Sequence, residues 1–362
     1  MFITGKKEVA IYEYTHASVS TTGAHLKKNG NNDYLNFSSL RLSIAMARTI
    51  LSKNPADLDL FFQACSSFFG MQTIIESSDP KLKLTNDYSI KFRDFSLTGR
   101  IGELAQAINY IFAQDYLKYP IVVDFWGYIS SQLPSTITYK GQSPDFVLKK
   151  FGVNSISLLE SKGSCPWKST DKLKSKLNEA LEQCDAGSTF ISDNKIPVTI
   201  DKKYASCVWF SNTNEWDTRI GFCDPEGVAN KYNTDSHSLF RYHYASWFSM
   251  IGLFKFSKQL LNNEIRKPLR PNKYYTNRDE RFLVFDPKFI ESYQEIIEIP
   301  YFEWRKAKFG ISEKIWDILI DGQEEIENLK FEPVSKEKVE IFADGTIVLY
   351  GDYHQEGDSL YL

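Results

Sequence analysis

Ser143-Pro144-Asp145-Phe146-Val147-Leu148, followed by Ile156-Ser157-Leu158-Leu159-Glu160-Ser161-Lys162-Gly163, is the stretch on which the fold turns. Aliphatic and β-branched runs flank Phe151-Gly152-Val153-Asn154, whose Gly and Asn signal a turn, so the stretch reads as two short strands. Asp145 opens the first. Glu160 and Lys162 close the second, and the two-residue period of a strand sets both on the same face of the sheet. Two carboxylates and an ammonium gathered at a strand pair suit a hard divalent cation. Mg²⁺ takes one or two carboxylates and leaves its other positions to water and substrate phosphate. Lys162 beside that ion would orient or deprotonate an attacking water and offset charge building on phosphorus, so the pattern suits phosphodiester hydrolysis. The competing reading is a turn acid after proline and an exposed strand-end ion pair, worth little.

The flanking sequence extends the pattern. From Gly99 to about Lys118, Ile101, Leu104, Ala105, Ile108, Ile111 and Phe112 fall at helical spacing. Ile121 to Trp126 follows as a strand. After the two central strands, Ser169 or Thr170 caps a helix to about Asp185, with Leu173, Leu177, Ala180, Leu181 and Cys184 on one face and Gly187 as a stop. Ala205 to Phe210 is a compact apolar strand.

Pro144-Asp145 with Glu160-Ser161-Lys162, set in this order of elements, resembles the PD-(D/E)xK nuclease superfamily, the restriction-endonuclease-like fold. The resemblance implies an α/β fold with a mixed central sheet flanked by helices in the order αβββαβ, spanning about residues 96–212. Outside it, the residues themselves read as N-terminal strand and helical additions over 1–95, with a second helix from Asn54 to Gly70, and as a mostly helical C-terminal region over 213–362, with a helix continuing to Leu261, that ends in a β-hairpin. The resemblance also implies a Mg²⁺-dependent deoxyribonuclease, with Mn²⁺ able to substitute, in which Asp145 and Glu160 bind the metal and Lys162 orients water. Ser161 would lend its backbone carbonyl to the ion, and Glu103 on the first core helix would be an accessory acid. Glu103 alternatively is an acid in a first helical turn, favoured there by the macrodipole. Gln183 stands where some relatives carry a glutamine near the site, but Gly187 stands where they show tyrosine, and an exposed helix polar residue is the competing reading.

The chain has 362 residues, 42% hydrophobic and 15% aromatic, enough for a large core in two domains or one elaborated one. A net charge of −3 confines any nucleic-acid footprint to one face. Lys168, Lys172 and Lys176 share a helical face that would track a phosphate backbone or else be a solvated basic face. Arg270, Lys273 and Tyr274 sit in a run where basic residues interleave with aromatics, a second DNA-contact candidate. Five scattered cysteines without a CxxC pair and a start without an apolar signal core predict a reduced, cytoplasmic protein, and no apolar run reaches a membrane span. His243, alone in an apolar helical run, reads as a packed residue. Asp344-Gly345 between two strand-like runs predicts a hairpin.

Restriction or phage defence is the expected role, with DNA as partner and a homodimer or a partner subunit of a defence complex to cut both strands. The alternative is a catalytically inactive nuclease-fold subunit that binds DNA or protein. No Walker loop, Gly-x-Ser-x-Gly or His-Glu-x-x-His supports an enzyme on another scaffold.

Overall fold

The computed structural model describes residues 5–30, 32–51, 66, 70–71, 73–91, 94–133, 141–165, 169–213, 216–225, 236–265, 270–285, 307–321, 329–336, 338–350, 354–356 and 359–361. The chain is mixed α/β and is built on two sheets. The first contains β1 (Lys6–Tyr14), β2 (Asp33–Ser38), β3 (Ile121–Asp124), β4 (Phe146–Lys149), β5 (Ile156–Ser164), β6 (Ile200–Trp209) and β7 (Arg219–Cys223), in the spatial order β2-β1-β7-β6-β5-β4-β3. It is a mixed sheet. β3, β4 and β5 form an antiparallel meander, and β6 lies parallel to β5.

Helices α1 (His16–Ser20), α2 (Ser39–Leu51), α3 (Tyr88–Lys91), α4 (Asp94–Ile111), α5 (Phe125–Ser131) and α6 (Thr170–Asp193) accompany this sheet. Apolar periodicity explains the layering. On one face, Leu104, Ala105 and Ile108 of α4 pack with Leu148, Leu159 and Val208. On the other, Leu173, Leu177 and Ala180 of α6 pack with Ala205, Cys207 and Trp209. Each buried Leu, Ile or Val among them contributes about 1.5–3 kcal/mol.

Several expectations are corrected. The strand expected over Ile121–Trp126 ends at Asp124, whose carboxylate caps the next helix by accepting from Gly127 N at 2.5 Å. Helix α4 stops at Ile111 and is followed by a π-helical turn, Phe112–Tyr116. β2 and β7 were not expected, and β1, β2 and β7 pair into the same sheet as the strands between residues 96 and 212. The helix expected from Asn54 to Gly70 falls largely outside the described residues.

Gly187 is not a stop. Helix α6 runs through it to Asp193, and a Cβ at 187 would lie 2.5 Å from Pro144 Cδ. Gly187 therefore lets the helix approach the residue preceding Asp145. Alanine normally stabilises a helix interior by about 1 kcal/mol over glycine. Here the clash with a rigid proline ring, at about 1–3 kcal/mol, outweighs that gain, so Gly187→Ala is expected to lower the melting temperature in a thermal scan; an unchanged or raised value refutes the close packing.

The second sheet holds β8 (Lys273–Asn277), β9 (Glu280–Phe285), β10 (Ala307–Ser312), β11 (Val334–Ser335), β12 (Val339–Ile341), β13 (Thr346–Tyr350), β14 (His354–Glu356) and β15 (Ser359–Tyr361), in the order β11-β12-β13-β10-β9-β8-β15-β14. Among the described residues, strands and helices thus share the C-terminal region about equally, rather than leaving it mostly helical. Its described helices are α7 (Ser236–Met250), α8 (Phe254–Asn262) and α9 (Glu313–Asp321). The strands were hidden because they are short and carry charge, as in Lys273-Tyr274-Tyr275-Thr276-Asn277. The helix expected to continue to Leu261 breaks at Gly252, where φ is +87°.

The Asp344-Gly345 hairpin forms, with Ile341 opposite Ile347 and Gly345 at φ +75°. Its tip is driven into the core. Asp344 is fully buried, and its Oδ2 lies 2.5 Å from Arg48 Nη1 and 2.8 Å from His243 Nε2. Oδ1 accepts from Thr346 N at 3.0 Å. One heptad before Arg48 on α2, buried Arg41 pairs with Asp115 and lies 3.7 Å from Glu340 of β12. Two arginines of one helix thus grip the C-terminal sheet. His243 is a packed residue, its Nδ1 2.9 Å from Val122 O. Among the described residues, no helix is long and apolar enough to cross a membrane.

Candidate active site

Alternation along β5 distributes its residues between the two helix layers. Glu160 and Lys162 face α6. Ser161 faces α4, where its Oγ accepts from Asn109 Nδ2 at 2.7 Å. Gly163 also faces α4, where a Cβ would meet Ile101 O at 2.8 Å. Asp145 sits just before β4, directly beside this segment, because Phe146 pairs with Leu159.

Asp145, Glu160 and Lys162 are brought together. Asp145 N donates to Glu160 Oε2 at 2.9 Å, and Ser161 N donates to Asp145 Oδ2 at 3.0 Å. Lys162 Nζ lies 2.7 Å from Glu160 Oε1. Glu160 is only 4% exposed. Glu103 takes a different place: it pairs with Arg100 at 3.0 Å and is about one-third exposed. Gln106, three residues on, is the α4 side chain that reaches the site, donating from Nε2 to Asp145 Oδ1 at 2.9 Å.

Helix α6 supplies two further groups. Lys162 Nζ donates to Gln183 Oε1 at 2.8 Å and lies 3.2 Å from Glu179 Oε1. Gln183 is buried, not an exposed helix residue. Glu179 is also held by Lys176, at 2.9 Å. Neither Gln106 nor Glu179 stood out in the sequence. The available signal was spacing alone, since Lys176, Glu179 and Gln183 recur at three- and four-residue intervals beside the buried stripe of α6.

Burial and mutual repulsion set the charge states. Burial pushes the Asp145 carboxyl up to about 6, against the Ser161 N–H and the charge of Lys162. Burial and the neighbouring Asp145 charge push Glu160 up to about 8. The two titrate as a pair. Burial pulls the Lys162 ammonium down, but Glu160 and Glu179 outweigh it and hold it above the ordinary lysine value. A hydrogen bond from Lys176 and then one from Lys162 hold Glu179 below the usual carboxylate range.

The DNA-contact candidates scatter. Lys172 is exposed on α6, Lys176 is tied to Glu179, and Lys168 lies outside the described residues. Arg270 is engaged by Glu313 and by Asp317 at 3.3 Å, and Tyr274 lies under the Arg281 guanidinium at 3.9 Å. Lys273 and Tyr274 belong to β8 of the second sheet, not to the sheet beside which Asp145 and Glu160 meet. Among the described residues, no three His, Cys, Asp or Glu side chains form a metal-holding group. Comparison with protein-family models, with curated proteins and with solved structures finds no match.

Proposed function

We propose that this protein is a metal-dependent endonuclease of the PD-(D/E)xK type that hydrolyses phosphodiester bonds of DNA, with restriction or phage defence as its setting. The observation that carries the reading is the convergence of Asp145, Glu160 and Lys162 on adjoining strands, joined by the 2.9 Å and 2.7 Å contacts through Glu160. The order α4, β3, β4, β5, α6, β6, interrupted by the short helix α5 between β3 and β4, with an antiparallel meander and a parallel fourth strand, supports it.

The donor set fits Mg²⁺. Asp145, Glu160 and the Ser161 carbonyl are hard oxygen donors, and burial with mutual repulsion holds both carboxyls above their ordinary range, a cost that a cation taking the place of the proton would relieve. Bound there, Mg²⁺ would polarise the phosphodiester and the attacking water. Lys162, as an ammonium, would orient that water and donate to the charge developing on phosphoryl oxygen. Gln106 and the Ser161 N–H fix the Asp145 carboxylate between them.

The second reading, an inactive subunit that binds DNA or protein, draws on the same contacts, because Lys162 satisfies Glu160 and two donors satisfy Asp145 without an ion. Plasmid incubated with purified protein in Mg²⁺ or Mn²⁺ separates the readings. Nicked or linear product is expected, and Asp145→Ala and Lys162→Ala are each expected to lower cleavage at least about a hundredfold. Retarded DNA without cleavage indicates the binding subunit, and neither result removes both readings.

A further inference from the structure

Laterally paired residues of a sheet share a face, and register carries the face of Lys162 across three further strands. Lys162 pairs with Cys207, Cys207 with Gly221, and Gly221 with Tyr12 of β1. At about 4.8 Å per strand, Tyr12 stands about 14 Å from Lys162 along one row. The neighbouring row runs Ser164, Trp209, Arg219, Ala10 and Tyr34, and ends on the edge strand β2. Two cations meet on Tyr12. Lys28 Nζ lies 3.7 Å and Arg219 Cζ 5.1 Å from the centre of its ring, within the range at which a π face holds a cation. Backbone pairing places Lys28, which bridges Tyr14 while Thr15 N donates to Lys27 O and Asn29 N to Glu13 O. Its ammonium donates to a neutral group, Asn32 Oδ1 at 3.3 Å, and among the described residues no carboxylate stands within ion-pair distance of it. Burial, and then the charge of Arg219, holds it below the ordinary lysine value. Two like charges on one ring repel, and an anion between them relieves the repulsion. Asp217, the acid two residues before Arg219, is taken up by Lys81 at 2.8 Å. Large rings are presented close by: Tyr34 is 50% exposed, and Trp216, three residues before Arg219, is 47% exposed.

We propose that this β1–β2–β7 face binds a single strand of DNA leading to the Asp145–Glu160–Lys162 cluster, with Lys28 and Arg219 on its phosphates and Tyr34 and Trp216 stacked on its bases. Cations set among exposed rings suit unpaired bases, whereas a closed duplex would offer the rings nothing and the cations only its phosphates. An apolar protein surface would suit the rings but not the paired cations. That the polyanion is DNA rests on the hydrolytic reading above; that it is single-stranded rests on the rings.

Fluorescence anisotropy of the full chain with labelled oligothymidine of about 20 nucleotides, longer than the roughly 4–16 that such surfaces take, tests this in EDTA. Wild type should bind. The fall of log affinity with log salt should become shallower by about 0.7 in Lys28→Met and by about 0.7 in Arg219→Met, one phosphate each. Tyr34→Ala should weaken binding about fivefold or more with the slope unaltered. Lys258→Met, at an exposed position of α8, should change neither. A blunt dA·dT duplex of the same length should compete poorly. No binding by wild type, or slopes unaltered in both Lys28→Met and Arg219→Met, overturns the inference, as does an equally competing duplex or a Tyr34→Ala variant that binds like wild type. Circular dichroism melts establish that folded proteins are compared, and should the half-buried Arg219→Met fail to fold, the exposed Lys28→Met carries the slope test alone. Light scattering reads the other occupant: self-association of wild type that is lost in Tyr34→Ala, with oligothymidine binding unaltered, assigns the face to a second copy and overturns the inference. Plasmid cleavage keeps the two readings apart. Oligothymidine bound as expected by a protein that cuts no plasmid sinks the hydrolytic reading and leaves this face standing; plasmid cut by wild type with slopes unaltered in both variants does the reverse.

Discussion

Asp344→Ala is expected to destabilise the fold by about 3–5 kcal/mol, the cost of breaking a buried ion pair by removing one partner. Asp344 and His243 are fully buried and Arg48 nearly so, and Asp344 Oδ2 contacts both. Burial alone would raise the Asp344 carboxyl, but Arg48 and His243 hold it far below the usual carboxylate range, so it is ionised in the fold. Its removal strands a guanidinium without counter-charge in a core where Arg48 Nε already has no partner. Asp344→Asn keeps the shape and still removes the charge, so its loss should be of similar size. Replacing Arg48 by Met together with Asp344 by Leu should cost less than the two single losses combined, because no orphan charge remains. Denaturant titration of the four proteins measures this, and a loss under about 1 kcal/mol for Asp344→Ala would contradict the buried pairing.

Stability should also fall as pH rises from about 5 to about 8 when divalent cations are chelated. The sign follows from Glu160. Burial and the Asp145 charge raise its folded pKa to about 8, above the ordinary 4.5, so the fold favours the protonated acid. That contribution is complete below the unfolded value and lost as pH passes through about 8. Asp145, raised to about 6, adds in the same direction. His243 produces the opposite limb: burial, then Arg48, lowers it from 6.5 to about 4, so the fold favours neutral imidazole and loses stability as pH falls through that range. The two ranges overlap from about 4.5 to 6.5, where the opposing slopes partly cancel, so melting temperature in EDTA should fall most clearly between about 6.5 and 8. Glu160→Gln should flatten the alkaline limb, and Mg²⁺ or Mn²⁺ at pH 8 should restore wild type by taking the place of the proton. A wild-type alkaline limb that persists undiminished in Glu160→Gln would assign the effect elsewhere.

The central strands were legible because β4 and β5 are compact apolar runs ended by charge, and α6 because its buried residues recur at helical spacing around a Ser169 cap. The turn at Gly345 was legible because Asp-Gly has few alternatives. What was hidden depends on partners distant in sequence. β7 is five residues long and beside an acidic turn, and only its pairing with β1, where Ala10 meets Arg219, makes it a central strand. Gln106 and Glu179 look like solvated helix residues until strand register turns them toward Asp145 and Lys162. Gly187 looked like punctuation because a glycine that admits a neighbour and one that ends a helix are the same letter.

The grip of Arg41 and Arg48 on residues 340–344 has a consequence for synthesis. Helix α2 leaves the ribosome long before the hairpin, so although Asp115 reaches Arg41 early, the Arg48 guanidinium lacks its counter-charge until Asp344 is made, and the layer it later seals stays open. Shortened chains that stop near residue 212 would keep every group of the β4–β5 cluster yet lack the Asp344 carboxylate that lets Arg48 close, and completion of the native state waits on residues 340–344.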